Sequence, residues 1–276
     1  MRRVQETTDY PLRRSGDGWV VAHFTKHRLS SGFQPVVAAS SLQVIGHAAL
    51  IRCEPDNKNI TSPWDIFSLA TEDPVLVKLD RLCRTVHALN YFRAASGQAN
   101  LFVTVQPRLL ESVKDDHGEA FAKVLDLIGI PTSRVVIEIP ADVNRNWKLL
   151  ARVVGNYRSR GYRVAANHSG TNDHWMGQLE SLYPDIVRLE ASALVSSYGT
   201  RRPVDSIHRF GASVLVHEIE TAQHKAAAMQ EGADLLQGRA LGVPVRAVEA
   251  PEPVPGGERF PAPRGDLRQL FRGSLD

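Results

Sequence analysis

The chain has 276 residues, 43% of them hydrophobic, a formal net charge of +3 and two cysteines. That length fits one large α/β domain or two small ones. The small charge gives no strong electrostatic case for nucleic acid, Cys53 and Cys83 stand outside any CxxC or metal-ligand spacing, and no apolar run reaches the length of a membrane span. The N-terminal arginines are not followed by an apolar segment, so no secretory leader is read. The expectation is a soluble cytoplasmic protein with two reduced, buried thiols.

Residues 1–23 lack clear periodicity and read as an N-terminal extension. Arg2, Arg3, Arg13 and Arg14 would lie on a solvated, flexible end, with a short strand or helix around Trp19 to Phe24. Phe33 to Val37 and Leu42 to Cys53 read as strands separated by Ala39-Ser40-Ser41. Pro63 to Ala70 reads as a short helix with Ser62 as N-cap and Pro63 at the first helical position. Val75 to Phe92 reads as a longer helix with Val75, Leu79, Leu82, Val86 and Leu89 on one face.

A regular alternation follows. Strands are expected at Leu101 to Val105, Arg134 to Ile139, Tyr162 to Ala166, Ile186 to Leu189, Ser213 to Val216 and Ala233 to Leu236. Helices are expected between them, among them Trp175 to Leu182, Val204 to Phe210 and Thr221 to Glu231. Six or more βα units in about 200 residues favour a closed parallel barrel over an open sheet, and no Gly-rich fingerprint follows the first strand. The folded unit is placed at residues 24–245. Residues 246–276 form a Pro/Gly-rich tail, with a turn or two of helix at Leu267 to Arg272.

Such barrels place their sites at the C-terminal ends of the strands. The polar or distinctive residues there are Ala48, Thr104, Glu138, Asn167, His168, Arg188, His217, Glu220 and Gln237. On residue types alone, Glu138, His168 and His217 form a candidate acid/base or His₂Glu metal cluster. By strand alternation, His47 points away from the mouth.

Six stretches in order, GHAALIR from Gly46, LFVTVQP from Leu101, VVIEIP from Val135, VAANHSGT from Val164, DIVRLE from Asp185 and HEIET…LLQG from His217 to Gly238, resemble the motifs of the EAL-domain phosphodiesterases, which cleave cyclic di-GMP. The resemblance implies an EAL-type (β/α)8 barrel. It also implies that family functional residues have been replaced here. The signature glutamate falls on Ala48, an asparagine on Thr104, and a second strand glutamate on Ala141. The paired aspartates fall on Asn167 and His168, the water-activating lysine on Arg188, the aspartate two residues on at Glu190, and the first glutamate of the late loop on His217. Glu138, Glu220 and Gln237 match.

Of the five carboxylates the family uses against two Mg²⁺ or Mn²⁺ ions, at Ala48, Glu138, Asn167, His168 and His217, one remains. Divalent ions of this kind need hard oxygen ligands, and a guanidinium at 188 cannot act as a base. The resemblance therefore implies lost hydrolysis, with no cofactor. Gln34, Leu50, Arg52, Asp80, Pro107, Glu220 and Gln237 match positions that hold the nucleotide in the family, so a metal-independent cyclic di-GMP receptor is one expectation. The alternative for these residues is structural, with Leu50 in the core and Arg52 and Asp80 in ion pairs. The leading expectation is a catalytically inactive regulatory protein acting on a protein partner in bacterial signalling or transcription control, with homodimerisation open and neither nucleic acid nor membrane as partner. A residual or repurposed metal-dependent phosphodiesterase is the weakest reading. Trp147, Trp175 and Met176 are candidate contact residues near the mouth.

Overall fold

A computed structural model describes residues 1–55, 63–95, 99–114, 116–142, 146–168, 180–196 and 203–246. Among the described residues the strands are β1 (Leu12–Arg14), β2 (Val20–Phe24), β3 (His27–Ala38), β4 (Val44–Pro55), β5 (Asn100–Thr104), β6 (Val135–Ile139), β7 (Arg163–Asn167), β8 (Ile186–Glu190), β9 (Ser213–His217) and β10 (Leu235–Gln237). Strands β4 to β10 run parallel in chain order, and β3 closes the circle by pairing with both β4 and β10. The result is the expected eight-stranded EAL-type barrel. One strand departs from the all-parallel expectation: β3 is antiparallel to both neighbours. The short Ala39–Gln43 connection forces this, because a parallel pair needs a crossover of a dozen or more residues.

The helices are α1 (Arg2–Thr8), α2 (Pro63–Leu69), α3 (Asp73–Ala94), α4 (Pro107–Ser112), α5 (Glu119–Leu127), α6 (Trp147–Ser159), α7 (Ala191–Ser196), α8 (Pro203–Arg209) and α9 (Ala222–Gln230). On α3 the buried face runs through Leu76, Leu79, Leu82, Cys83 and Val86, while Val75 is exposed and Leu89 only partly buried. Leu42 lies in the β3–β4 turn with φ of 58°, so β4 starts two residues later than expected. Cys83 is buried and Cys53 half-buried, and among the described residues neither forms a disulfide. The helix expected at Trp175 to Leu182 falls largely outside the described residues, as do Ser62 and the segment from 247 onward.

Two apolar layers hold the barrel. The larger lies between strands and helices. The smaller fills the lumen and takes one residue from each barrel strand: Val36, Ala48, Phe102, Val136, Ala165, Ile186, Leu215 and Leu235, all nearly inaccessible. Side chains in a strand alternate between faces, so the residues two positions nearer the mouth also face inward. Those are Gln34, Leu50, Thr104, Glu138, Asn167, Arg188, His217 and Gln237, one per strand.

The first 23 residues are not a flexible end. Val4 on α1 and Leu12 on β1 are buried in the main core, and β1–β2 extend the sheet from β3. Asn90 on α3 completes the junction. Its Oδ1 accepts the Val20 N–H at 2.7 Å and its Nδ2 donates to the Val20 carbonyl at 2.8 Å, as a neighbouring strand would. Arg2, Arg3, Arg13 and Arg14 are exposed, as expected, but on ordered elements. The sequence concealed α1 because RRVQETT carries a single apolar residue, too few to show a period.

Candidate functional site

Strand alternation gathers most of the expected residues at one mouth, where a hydrogen-bonded and ion-paired chain crosses the lumen. Thr104 Oγ1 donates to Glu138 Oε2 at 2.7 Å. Glu138 Oε1 lies 3.4 Å from Arg188 Nη1, with the two side chains 4% and 12% exposed. Arg188 Nη2 reaches Gln237 Oε1 at 3.5 Å, Gln237 Nε2 donates to Gln34 Oε1 at 3.0 Å, and Gln34 Nε2 donates to the Gly242 carbonyl at 3.1 Å. Asn167 Nδ2 donates to the Ile139 carbonyl at 2.7 Å. The His168 backbone N–H donates to the Arg188 carbonyl at 2.8 Å.

The electrostatics follow from that order. Burial pushes the His217 imidazole down to about 3, with the Arg188 charge adding to the effect. Burial also lowers His168. Both rings are therefore neutral near pH 7, and among the described residues of the mouth the buried Glu138 carboxylate faces the largely buried Arg188 guanidinium. His168 and His217 do not join Glu138: among the described residues no group of three or more His, Cys, Asp or Glu side chains is placed to share a metal ion. The candidate His₂Glu cluster is therefore corrected. The strands deliver all three residues to one end, but the Glu138 carboxylate turns to Arg188.

The nucleotide-type positions divide. Gln34 and Gln237 are buried in the chain just described, and Leu50 is 41% exposed at the mouth rather than in the core. Arg52 Nη2 donates to the Pro244 carbonyl at 2.6 Å. Pro107 is half-buried at the start of α4. Glu220 is exposed, 3.9 Å from Arg239 Nε. Asp80 is not at the mouth as a free acceptor. It is 2% exposed, its Oδ2 is 2.6 Å from Arg84 Nη2, and its Oδ1 accepts the Gln106 N–H at 3.1 Å, so the structural alternative holds for this residue. Ala48 sits in the lumen layer. Trp147 packs partly buried against the core, while Trp175 and Met176 lie outside the described residues. His47 points outward as expected, 3.3 Å from the Tyr91 hydroxyl.

One feature of the mouth was not read from the sequence. Glu218, directly after β9, has φ of 61°, a left-handed conformation uncommon for a residue with a side chain. His224 Nδ1 lies 3.2 Å from the Glu218 carbonyl and 3.3 Å from the Glu220 N–H. The HEIET spacing gave no sign of this, because it carries no glycine or asparagine to mark a positive φ.

Comparison with known proteins decides the family. The EAL domain model matches residues 19–244. The chain belongs to the EAL domain family. Bacillus subtilis YkuI, an uncharacterized EAL-domain containing protein, is 25% identical over 222 residues, which is 75% of this chain and 52% of YkuI. The probable cyclic di-GMP phosphodiesterase PdeD of Escherichia coli is 22% identical over 249 residues, 86% of this chain and 45% of PdeD. This chain thus spans about half the length of these curated relatives. YkuI solved with cyclic di-GMP and calcium superposes with a TM-score of 0.66 at 24% identity, covering 88% of this chain and 59% of that one. The EAL domain of Xanthomonas citri FimX, solved with cyclic di-GMP, gives 0.63 at 17% identity, covering 80% and 90%. These neighbours share the EAL barrel with the present chain. Among the described residues no helix is long and apolar enough to cross a membrane.

Proposed function

We propose that this EAL domain is catalytically inactive and works as a regulatory protein in the bacterial cytoplasm, through contact with a protein partner in signalling or transcription control. The observation that carries the reading is the Glu138–Arg188 ion pair. Two divalent cations would need several hard, anionic oxygen ligands around them. The inward mouth positions instead offer one carboxylate, already turned toward a guanidinium, together with amides, a hydroxyl and the neutral His217 imidazole. A guanidinium stays protonated and cannot take a proton from water, so Arg188 neither replaces a base nor leaves room for cation charge. This donor set does not fit the two-metal centre that the family resemblance implies.

A metal-independent cyclic di-GMP receptor is the second reading. It is favoured by Arg188 and Arg52 as cations at the mouth, both suited to phosphate through charge-assisted hydrogen bonds, and by the nucleotide carried in the YkuI and FimX structures. Against it, Asp80 is consumed by Arg84 and Arg52 is tied to Pro244. Calorimetry with cyclic di-GMP, with and without Mg²⁺, paired with a hydrolysis assay, separates the readings. Absence of both binding and turnover supports the partner reading. Micromolar binding that ignores Mg²⁺ replaces it with the receptor. Turnover that is abolished by Glu138→Ala overturns the inactive assignment.

A further inference from the structure

After β10 the chain does not leave the barrel at once. It turns back over the rim, and residues 242–246 lie along β3. The Gly242 carbonyl accepts from Gln34 Nε2 at 3.1 Å, and the Pro244 carbonyl accepts from Arg52 Nη2 at 2.6 Å. Val245 exchanges both backbone hydrogen bonds with Phe33, at 2.7 and 2.9 Å. Phe33 sits between the part of β3 paired with β2, which ends at Leu29, and the part paired with β10, which begins at Val36. Val245 therefore bridges a stretch of β3 edge that neither strand covers. One residue on, Arg246 reaches Asp17 Oδ2 at 2.8 Å and lies 5.4 Å from the centre of the Trp19 ring.

Two glycines make the approach possible. A Cβ at Gly242 would stand 2.5 Å from Pro35 Cγ, and one at Gly32 would stand 2.6 Å from Arg52 Nε. Without side chains at those points, the returning chain comes close over Pro35 and the Arg52 side chain crosses close over Gly32.

We propose that residues 242–246 are a strap that couples the barrel mouth to the N-terminal hairpin and to the point where the C-terminal segment begins, with Arg52 as its latch. The side chains that grip the strap are themselves mouth residues. Gln34 is bonded to Gln237, which reaches Arg188, so a rearrangement at Glu138–Arg188 has a bonded route to Gly242. Whatever draws Arg52 into the mouth withdraws it from Pro244. A short segment held by one bridge, the Gln34 and Arg52 side chains and the contacts of its own Arg246 opens locally without unfolding the barrel, and its opening frees Arg246 from Asp17 and Trp19. This coupling goes beyond the proposed function and holds whether or not a nucleotide binds.

Hydrogen exchange on the full chain tests it. In Arg52→Ala, the Val245 and Phe33 amides exchange at least about tenfold faster, and the segment 15–21 around Trp19 loosens with them, while β5 to β8 keep their protection. Gly242→Ala, which pushes the strap off Pro35 without touching the mouth arginine, produces the same pattern. The strap is overturned if Val245 stays protected in both variants, if segment 15–21 does not respond when Val245 does, or if exchange rises equally across β5 to β8.

Discussion

Truncating Arg188 to alanine isolates the Glu138 carboxylate in a site where its side chain is 4% exposed. At the observed separation of 3.4 Å, and with an effective dielectric near 20, the lost attraction is about 5 kcal/mol. Desolvation of the guanidinium is recovered on truncation, but that of the carboxylate is not, and breaking one side of a buried pair costs roughly 3–5 kcal/mol. The expected Arg188→Ala deficit relative to the parent is therefore about 3–5 kcal/mol. Urea denaturation of both proteins at pH 7 measures it. Glu138→Gln placed on Arg188→Ala recovers most of the loss, because the amide oxygen still accepts from Thr104. A deficit below about 1 kcal/mol at pH 7 refutes the ion pair as the organising contact of the mouth.

Two further predictions concern the other side of the barrel. Asn90→Ala removes both hydrogen bonds to Val20, an expected loss of about 2–3 kcal/mol, seen in urea denaturation together with faster amide exchange confined to β1 and β2. Burial holds His47 down to about 4 and His87 down to about 3, below the free imidazole value near 6.5. As pH falls the unfolded chain binds protons first, so these groups' contribution is present above about pH 6.5 and is lost toward their folded values. Between pH 7 and pH 5 the two together withdraw about 3–4 kcal/mol. Replacing His87 by glutamine halves that part of the loss, and an unchanged slope in the variant would show that His87 is not held neutral by the fold.

The barrel was legible because short apolar strands punctuated by amphipathic helices leave few architectures, and because alternation alone sent His47 outward and Glu138, Arg188, His217 and Gln237 inward. Strand direction was not legible in β3, since a period of two reads the same from either end. The N-terminal unit was missed for a related reason: it is held by Asn90, a polar contact 70 residues away, and by single apolar residues such as Val4 and Leu12 rather than by a periodic face. At the site, strand position brought Thr104, Glu138, Asn167, Arg188, His217 and Gln237 to one mouth but did not give their partners. Asp80 shows what local spacing makes available. Asp80 and Arg84 are four apart on one helix, a spacing at which opposite charges face each other, and the structure uses it to close that carboxylate. Arg52 shows the opposite case, because its partner Pro244 lies 192 residues away and no local pattern could supply it.

The lumen layer of Val36, Ala48, Phe102, Val136, Ala165, Ile186, Leu215 and Leu235 makes the barrel a blind cup rather than a tube. Its floor is sealed by packing that involves none of the mouth's polar atoms. Chemistry at the rim can therefore be rewritten one side chain at a time, from acidic to amide to cationic, while the floor continues to set where every rim residue points. At the rim the container is separable from its contents: carboxylates placed at Asn167 and His217 would alter reactivity on a scaffold whose geometry they do not have to rebuild, whereas one placed at Ala48 would enter the floor itself.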